Sequence, residues 1–275
     1  MSLALDDAQQ YFLQVIMNKG VIDQLNFAET FEKISKKFKL VYEDKEKKNF
    51  IKDFMIKINK SIANFSMEIK LSNCEVTGMS FYCFIRQTDS SGIGQLSNLY
   101  SQTELKIFKK ILVLIVQSEE GCIQQNTALN QIICDDEDVV QTQATKNINP
   151  KDIRLAIQKF VNDYWLFEIP NKKGMITLHG RALSELSEYM GEIFDKNELN
   201  SCKLCEKMVL YGVSCDFCAV RFHHHCGKKY FEKEKKCPNI GKCTQIFPEE
   251  KIKDFIENLN EARNAFTQNS NSSKD

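Results

Sequence analysis

The chain has 275 residues, of which 43% are hydrophobic and 27% are charged, and its formal net charge is zero. This length predicts two or three domains, and the composition is that of a globular protein rather than a disordered or fibrous one. The balanced charge gives no argument for a nucleic-acid or membrane partner. The longest apolar run, 111–116, is far too short to span a bilayer.

The first hundred residues predict three helices followed by a hairpin. Asp6 or Asp7 can cap a first helix that ends at Gly20, and Asn26 begins a second helix. Residues 65–71 and 79–86 alternate between apolar and polar as two strands do. The apolar residues of the second and third helices recur at spacings of three and four; they are Phe27, Phe31, Ile34 and Phe38, then Phe50, Phe54, Ile58 and Ile62. Three helices and a hairpin form a winged helix, and the polar stretch 87–100 predicts a loop.

A second winged helix is predicted to begin at Ser101, where Ser-Gln-Thr-Glu forms a capping box. The helix after this box carries an apolar stripe that includes Leu105, Phe108 and Ile111. A short helix near 128–133 and an acidic loop over 135–149 come next.

The second half of this winged helix has a clearer pattern. Residues 152–163 predict a helix, and 164–178 predict a hairpin with its turn at 170–174. One long helix with Leu183, Leu186, Met190 and Ile193 on one side is then expected. His179, which opens this helix, is predicted to be a capping or core residue rather than a ligand or a base.

The strongest chemical signal lies between 202 and 243, where seven of the eleven cysteines and three of the four histidines fall. The pairs Cys202–Cys205 and Cys215–Cys218 have the two-residue gap that lets one tight loop present two sulfurs to one metal. Zinc takes thiolate and imidazole ligands in sets of four, so eight ligands predict two zinc ions. In chain order the eight are Cys202, Cys205, Cys215, Cys218, His223, Cys226, Cys237 and Cys243.

A disulfide framework is the rival interpretation of these cysteines. It leaves the histidine spacing unexplained, and no signal peptide is recognisable at the start of the sequence. The other cysteines lie among apolar neighbours and are predicted to be reduced core thiols in an intracellular compartment. They are Cys74, Cys83, Cys122 and Cys134.

The pairing of the eight ligands determines the fold of this segment. Sequential pairing gives two stacked knuckles. Interleaved pairing puts Cys202, Cys205, His223 and Cys226 on one zinc ion and Cys215, Cys218, Cys237 and Cys243 on the other. This cross-brace is the arrangement of RING and PHD fingers, and the order of ligands here resembles both.

Two details of the ligand set stay open. His223 is the preferred fifth ligand because Phe222 precedes it as a core residue, and His224 and His225 are predicted to face solvent, although either can replace it as the ligand. The gap between Cys237 and Cys243 holds five residues, whereas both finger families usually have two there.

DNA binding is a common function of winged helices. The candidate basic residues are Lys151, Arg154, Lys159, Lys172, Lys173 and Arg181. The helix over 152–163 also carries acidic residues, and too few bases line one face to neutralise many phosphates. Protein docking is therefore the preferred role of the winged helices.

Four local motifs carry a resemblance to a known family. They are YFLQVIM at 11–17 with GVI at 20–22, KFV at 159–161 with WL at 165–166, TLHGRA at 177–182, and GVSCDFC at 212–218. With the two winged helices and the ligand order, they resemble the first non-SMC element (Nse1) of the Smc5/6 complex over residues 11–248.

This resemblance implies a variant RING finger that holds two zinc ions with the eight ligands named above. It implies a ubiquitin ligase subunit that binds a MAGE-type subunit and, with it, a kleisin subunit, and that contacts DNA at most indirectly through the complex. It also implies a nuclear, chromatin-associated protein that acts in DNA repair and recombination.

A RING finger holds a ubiquitin-conjugating enzyme on its zinc loops. Leu204 and Pro238 occupy positions where such fingers commonly make this contact, and Leu204, which lies between two metal ligands, is predicted to face outward. No Trp lies in the finger and no Arg follows Cys243, so weak activity is predicted for the chain alone. The alternatives are an architectural finger and a PHD-like reader of histone tails. Such readers place an aromatic residue two positions before the seventh ligand, where Lys235 stands.

The sequence therefore predicts a mainly α-helical protein with small β-hairpins. Its expected parts are a winged-helix domain over 1–100, a second over 101–197, a zinc-binding variant RING domain over 198–248, and a weak helix with a disordered tail over 249–275.

Overall fold

The computed structural model describes residues 4–86, 92–137, 148–195 and 197–272. The chain divides into two compact units. The first comprises Met1–Asn73 and Met79–Ser90, and the second comprises Cys74–Gly78 and Ser91–Asp275. Within the described residues, none of the helices has the length and apolar character needed to cross a membrane.

The first unit contains the predicted three helices and a hairpin, with one additional short strand. Its elements are α1 (Asp7–Lys19), β1 (Val21–Asp23), α2 (Gln24–Phe38), α3 (Lys47–Ile62), β2 (Met67–Asn73) and β3 (Ser80–Arg86). The three strands form an antiparallel sheet in the order β1-β3-β2. The core lies between the helices, where the rings of Phe12, Phe31 and Phe54 meet edge to face.

Capping side chains decide where the first two helices begin. Asp6, rather than Asp7, caps α1, because its carboxylate accepts a hydrogen bond from Gln9 N while the Gln9 side chain accepts one from Asp6 N. Helix α2 begins before the predicted Asn26, because Asp23 caps it and accepts from Leu25 N and Asn26 N. Strand β1 is too short for a period of two to be visible in the sequence.

The second unit contains the second winged helix and the finger. The winged helix consists of α4 (Gln102–Gln117), β4 (Ile123–Gln124), α5 (Gln125–Glu137), α6 (Pro150–Asn162), β5 (Leu166–Glu168), β6 (Met175–Leu178), α7 (Gly180–Glu185) and α8 (Ser187–Ile193). Its antiparallel sheet has the order β4-β6-β5. The finger and the C-terminal segment follow with β7 (Val213–Ser214), β8 (Arg221–Phe222), α9 (His224–Phe231) and α10 (Glu249–Ser272).

The helices of the second winged helix enclose one apolar core. Phe108 on α4 contacts both Phe160 on α6 and Trp165, and Trp165 is completely buried. The predicted capping box of α4 is present, since Ser101 Oγ accepts from Glu104 N and Glu104 Oε2 accepts from Ser101 N. The predicted fold class, winged helices with small antiparallel sheets followed by a cross-brace finger, is confirmed.

Several local predictions differ from the structure. Residues 92–98 form a 3-10 helix with Ile93 and Leu96 in the core rather than a loop. The long helix expected after the second hairpin is two helices that meet at Leu186, whose backbone leaves the helical conformation. The acidic stretch 135–149 begins inside α5, and 138–147 lie outside the described residues.

The C-terminal segment differs most from its prediction. The expected weak helix and the first part of the expected disordered tail, 268–272, form one helix, α10, and 273–275 lie outside the described residues. Phe255 and Leu259 on α10 are buried. The sequence pattern predicted a weaker and shorter helix, because the stability of α10 comes from packing of one apolar face and not from high overall hydrophobicity.

His179 is a buried capping residue, as predicted. Its Nδ1 accepts a hydrogen bond from Arg181 N at 3.1 Å at the start of α7, and no part of the side chain is exposed. Burial, together with the nearby Arg181 charge, lowers the pKa of His179 to about 3. The ring is therefore neutral in the folded chain at neutral pH.

This buried ring predicts a defined acid sensitivity. The folded pKa lies below the ordinary pKa of about 6.5, so the stability that depends on neutral His179 is complete above pH about 6.5 and is lost as the pH falls toward 3. Between pH 7 and pH 5 the parent is expected to lose up to about 2 kcal/mol more unfolding free energy than His179→Asn, which keeps a capping acceptor but does not titrate. Denaturant unfolding at both pH values measures this difference, and equal losses would contradict the assignment.

Candidate metal centre

The finger brings its eight candidate ligands together in two groups of four. The first ligand group is Cys202, Cys205, His223 and Cys226, and the second ligand group is Cys215, Cys218, Cys237 and Cys243. Within each group, one ligand atom from every residue lies within 4.8 Å of the others. The grouping is interleaved along the chain, which is the cross-brace and not the sequential arrangement.

Two similar turns present the first two sulfurs of each group. In the first turn, Glu206 N donates to Cys202 O at 2.8 Å, and in the second, Ala219 N donates to Cys215 O at 2.8 Å. Both Glu206 and Ala219 have a positive φ, near 60°, which closes the turn directly after the second cysteine. The two-residue gap in each pair therefore corresponds to the same local backbone shape.

Helix α9 and the strand before it supply the other half of the first ligand group. His223 is the N-terminal capping position of α9, and Cys226 lies in its first turn. Phe222 on β8 is completely buried beneath them, as predicted for a core residue. A Cβ atom on Gly227 would come within 2.7 Å of the Phe222 ring, so α9 needs glycine at this point to approach β8.

The long gap before the last ligand is taken up by a tight turn. Cys243 N and Lys242 N both donate to Asn239 O, at 3.0 and 3.1 Å, and Gly241 adopts a φ of +79° inside the turn. Asn239 N in turn lies 3.5 Å from Cys237 Sγ. The extra residues thus fold back on themselves, and Cys243 joins the second ligand group despite the unusual spacing.

The spacing of the ligand atoms fits tetrahedral zinc. Zn–S bonds of about 2.3 Å and Zn–N bonds of about 2.0 Å place neighbouring ligands roughly 3.6–3.8 Å apart. The Sγ atoms of Cys218 and Cys237 are 3.7 Å apart. His223 Nδ1 lies 3.4 Å from Cys205 Sγ and 3.8 Å from Cys226 Sγ. The first group has three thiolates and one imidazole, and the second has four thiolates. Both sets are typical of closed structural zinc sites.

The electrostatics of the first ligand group favour a cation. Hydrogen bonds from the Cys226 thiol and from His223 lower the pKa of Cys202, against the opposing effect of burial, and so favour its thiolate. Burial disfavours a charged His223, but hydrogen bonds with Cys202 and Glu75 outweigh it and raise its pKa to about 11. That raised pKa belongs to the metal-free chain. A metal ion bound at Nδ1 would displace the second ring proton and leave a neutral imidazole as the ligand.

His223, and neither neighbouring histidine, points its ring into the ligand group. The ring of His224 stacks on Tyr211 at 5.0 Å, and the ring of His225 stacks on His223 at 4.9 Å. Both are half-buried rather than solvent-facing, and burial lowers the pKa of each to about 4. They serve as neutral packing residues beside the site.

Four aromatic rings and α10 form the small core behind the ligands. The ring centroid of Phe222 lies within 6.4 Å of those of Phe231, Phe247 and Phe255. The centroids of Phe231 and Phe255 are 5.9 Å apart. The sequence prediction missed the role of Phe255, because a lone aromatic residue on a polar helix does not reveal what it packs against.

Sequence reasoning also missed Glu75. This residue lies in the turn between β2 and β3, far from the finger along the chain, and its Oε1 is 3.1 Å from His223 Nε2. Its neighbours Cys74, Val76 and Thr77 are also buried. No sequence pattern connects a hairpin turn to a ligand more than a hundred positions later.

Neither of the two residues predicted to contact a conjugating enzyme, Leu204 and Pro238, is fully exposed. Leu204 is half-buried and packs against the finger core, although the sequence prediction had it facing outward. Pro238 is buried. The apolar residues that do project from the finger are Phe217, Ile240 and Ile246, at 75%, 78% and 60% exposure. Phe217 lies between Cys215 and Cys218, and Ile240 lies in the turn after Pro238.

Half of the basic residues considered for DNA binding have other partners. Lys159 pairs with Glu104 at 2.8 Å and Lys172 with Glu120 at 3.2 Å. Arg181 donates to Asp163 O at 2.7 Å and stacks on Trp165 at 4.3 Å. These side chains hold the second winged helix together, which agrees with the preference for a role in protein docking.

The cysteines outside the finger are buried thiols where the structure describes them. Cys74, Cys83 and Cys122 are buried and not disulfide-bonded. Burial raises the pKa of Cys74 and of Cys122 to about 11, so both stay protonated. The side chain of Cys134 lies outside the described residues.

Comparison with known proteins covers most of the chain. A family model described as Nse1 non-SMC component of SMC5-6 complex matches residues 9–186, and a model described as RING-like domain matches 202–240. The RING-like match ends at residue 240, within the turn 239–243, and so does not include the last ligand, Cys243.

Curated relatives and a solved structure extend this likeness. The non-structural maintenance of chromosomes element 1 homolog of Homo sapiens is 29% identical over 253 residues, covering 91% of this chain and 88% of the relative. The Xenopus laevis homolog is 24% identical over 249 residues, covering 90% and 84%. A chain from a solved "Nse1-Nse3-Nse4 complex" has a TM-score of 0.72 at 24% identity, covering 89% of this chain and 99% of that one.

The ligand groups predict two zinc ions per chain and a local effect of losing one. Because the energy of metal binding, on the order of 10 kcal/mol per site, is also folding energy, Cys215→Ser is expected to lose the second-site ion and to unfold the loops around it. The helices of the first unit should keep their circular dichroism. Elemental analysis by mass spectrometry measures the ions.

Cys122→Ser is the matched control, because Cys122 is a buried thiol of the same unit that belongs to neither ligand group. It should keep both ions. A parent protein with one zinc ion or none, or equal zinc loss in both variants, would contradict the cross-brace assignment.

Proposed function

Because this chain belongs to the Nse1 family of non-SMC components of the SMC5-6 complex, we propose that it is a RING-type ubiquitin ligase subunit of that complex. It binds a MAGE-type subunit through its winged helices and a ubiquitin-conjugating enzyme through its finger. As a member of this chromosome-maintenance family it acts in the nucleus on chromatin, in DNA repair and recombination.

The observation that supports the finger's role is its cross-brace geometry. Two interleaved ligand groups hold two loops in fixed positions, one carrying Leu204 and the other carrying Ile240. Ile240 is 78% exposed, and part of Leu204 also reaches the surface. Pro238 is buried, so it does not touch the conjugating enzyme directly. It restricts the backbone of the second loop and so helps to position Ile240.

The finger performs no covalent chemistry in this function. Zinc, bound by the eight ligands, supplies the rigidity of the two loops. The loops then hold a ubiquitin-charged conjugating enzyme close to a substrate and favour its reactive conformation, which is a proximity effect. Thr244 follows the last ligand, Cys243, in place of the arginine that strong ligases use to hold ubiquitin. Transfer by the chain alone is therefore weak, and transfer by the partner-bound complex is stronger.

The winged helices supply the docking surface for the MAGE-type subunit and, with it, the kleisin subunit. The structural relative is itself a chain of a three-part assembly, the Nse1-Nse3-Nse4 complex. In this chain, Phe65 and Leu71 lie at the hairpin of the first unit and are 72% and 50% exposed. Strand β2, which carries Leu71, is at the edge of its sheet. Exposed apolar side chains beside a free strand edge favour a protein partner.

A purely architectural finger is the second candidate function. It is favoured by how firmly the finger packs into its own unit, through Phe255 of α10 and the buried turn with Glu75. A histone-reading finger has less support, because Lys235, at the position of the expected aromatic residue, is exposed and pairs with Glu249.

Ubiquitin transfer distinguishes the ligase from the architectural finger. Ile240→Ala and Leu204→Ala are expected to lower the initial rate of ubiquitin transfer by the MAGE-bound complex by about 5- to 100-fold, because each truncates an apolar contact at an interface. Zinc content and partner binding should stay unchanged. The measurement is the rate with a panel of conjugating enzymes.

Leu155→Ala is the matched control, since Leu155 is an exposed leucine on α6, outside the finger. Its rate should equal that of the parent. Equal rates in all three variants would show that these loops do not contact the conjugating enzyme. If the parent transferred no ubiquitin with any conjugating enzyme, the architectural function would be favoured instead.

Docking of the MAGE-type subunit can be tested at the first hairpin. Phe65→Asp and Leu71→Asp are expected to weaken binding more than tenfold, because each places a charge in an apolar interface. Val41→Asp is the control, as Val41 is 92% exposed and lies in the same unit before α3. Titration calorimetry with the purified partner measures the affinities. Unchanged affinity in both hairpin variants would place the interface elsewhere.

A further inference from the structure

A buried carboxylate contacts the histidine of the first ligand group from behind. Glu75 is 1% exposed, accepts hydrogen bonds from two backbone N–H groups, and lies in ion-pair contact with one ring nitrogen. Its Oε1 lies 3.1 Å from His223 Nε2 and 3.1 Å from Leu210 N, and its Oε2 accepts from Tyr211 N at 2.9 Å. We propose that Glu75 is a positioning residue of the first metal site, which aims His223 Nδ1 at the metal and strengthens it as a ligand. The proposal rests on metal binding and is independent of ligase activity.

The hydrogen bonds of His223 determine which ring nitrogen is free to bind a metal. Neutral imidazole has one N–H donor and one acceptor nitrogen. Nε2 faces two acceptors, Glu75 Oε1 and the carbonyl oxygen of Met208 at 2.9 Å, so Nε2 carries the proton. The lone pair is then on Nδ1, the atom that lies among the sulfurs of the first ligand group. Metal-binding histidines generally donate their other N–H to a carboxylate or carbonyl in this way.

The position of the carboxylate rules out a direct role as a ligand. Glu75 contacts the ring nitrogen on the far side from the sulfurs, and it is not among the four residues whose ligand atoms converge. The first ligand group is already complete without it. Glu75 therefore acts on the metal through His223.

Two backbone N–H donors and the Nε2 side of the His223 ring surround this side chain, and such surroundings favour a carboxylate. An ionised glutamate has only acceptors, whereas glutamine would place its NH₂ group against at least one of these N–H donors. A buried charge is costly unless it is fully hydrogen-bonded. The surroundings of Glu75 meet that condition, and its negative charge makes the imidazole a stronger donor to a cation.

The turn that carries Glu75 is built to hold the side chain in place. Gly78 N donates to Cys74 O at 2.8 Å and closes the turn, and Gly78 adopts a φ of +63°. A Cβ atom on Gly78 would come within 2.8 Å of His225 Cβ, so glycine allows the turn to approach α9. Hairpin turns usually lie in solvent, and this one is buried from Cys74 to Thr77. Its burial fits a turn whose task is to deliver a carboxylate.

The experiment uses the full-length chain with two variants and a matched control. Glu75→Gln keeps the size of the side chain and removes the charge, and Glu75→Ala removes the group. Glu185→Gln is the control, because Glu185 is a buried carboxylate of the same unit that pairs with Arg181 instead of a ligand. Zinc is removed by a graded series of chelator concentrations. Cobalt substitution then identifies the site that was lost, since a site of three thiolates and one imidazole absorbs differently from a site of four thiolates.

We expect both Glu75 variants to lose about 10- to 100-fold in metal affinity at the first site, with the second site and the control unchanged. Nitrogen NMR of His223 should show its Nε2–H signal shifted in Glu75→Gln, which a purely structural role for the turn would not produce. Unchanged first-site affinity in Glu75→Gln would overturn the proposal. Equal weakening of both sites would also overturn it, because the turn would then support the finger as a whole. If Glu75→Ala does not fold, Glu75→Gln alone decides between these outcomes.

Discussion

The finger depends on closing two tetrahedral ligand groups from loops that alternate along the chain. Each C-x-x-C turn can present two sulfurs by itself. The first group is complete only when the start of α9 supplies His223 and Cys226, and the second only when the segment 237–243 supplies Cys237 and Cys243. The apolar core behind them is small, and its main members are a few aromatic rings. Metal bound by these two groups would therefore contribute most of the folding free energy of this segment, as it does in other small zinc domains.

The second unit surrounds this finger with parts that are distant in sequence. Phe255 of α10 packs against Phe222 and Phe231, and the buried turn at Cys74–Gly78 places Glu75 against His223. Lys251 of α10 also bonds to Ser214 O at 3.1 Å. The finger is thus supported by α10 and by the buried turn, in addition to any metal that its two ligand groups would bind. Such support keeps the loops in place whether they serve an enzyme or an assembly.

The same arrangement explains why ligase and architectural roles are compatible in one finger. A contact for a conjugating enzyme needs exposed apolar residues on rigid loops, and Ile240 and Phe217 have that exposure. An architectural role needs buried contacts with the rest of the unit, and Phe222 and Phe231 supply them by packing against Phe255 on α10. Because the two surfaces use different residues, substitutions on one side can be made without destroying the other.

The sequence alone predicted those features that depend on residues close together in the chain. Apolar periodicity showed the helices and hairpins, and the two C-x-x-C pairs with the later histidine and cysteines showed the ligands, because these signals act over a few neighbouring residues. The sequence also carried the family resemblance through its local motifs. It favoured His223 over His224 and His225 but could not exclude them, since all three have nearly the same spacing and only the direction of each ring differs.

Only the tertiary structure decided the features that join distant segments. Leu204 was predicted to face outward because metal ligands flank it, yet packing against the finger core half-buries it, and Pro238, the other predicted contact residue, is buried. Glu75 appeared to be an ordinary polar residue of a turn, and α10 appeared to be a weak helix. Their roles depend on contacts made across the fold, with His223 for Glu75 and with Phe222 and Phe231 for Phe255 on α10. A local pattern carries no information about such contacts, because the energy that selects them exists only once the chain has folded.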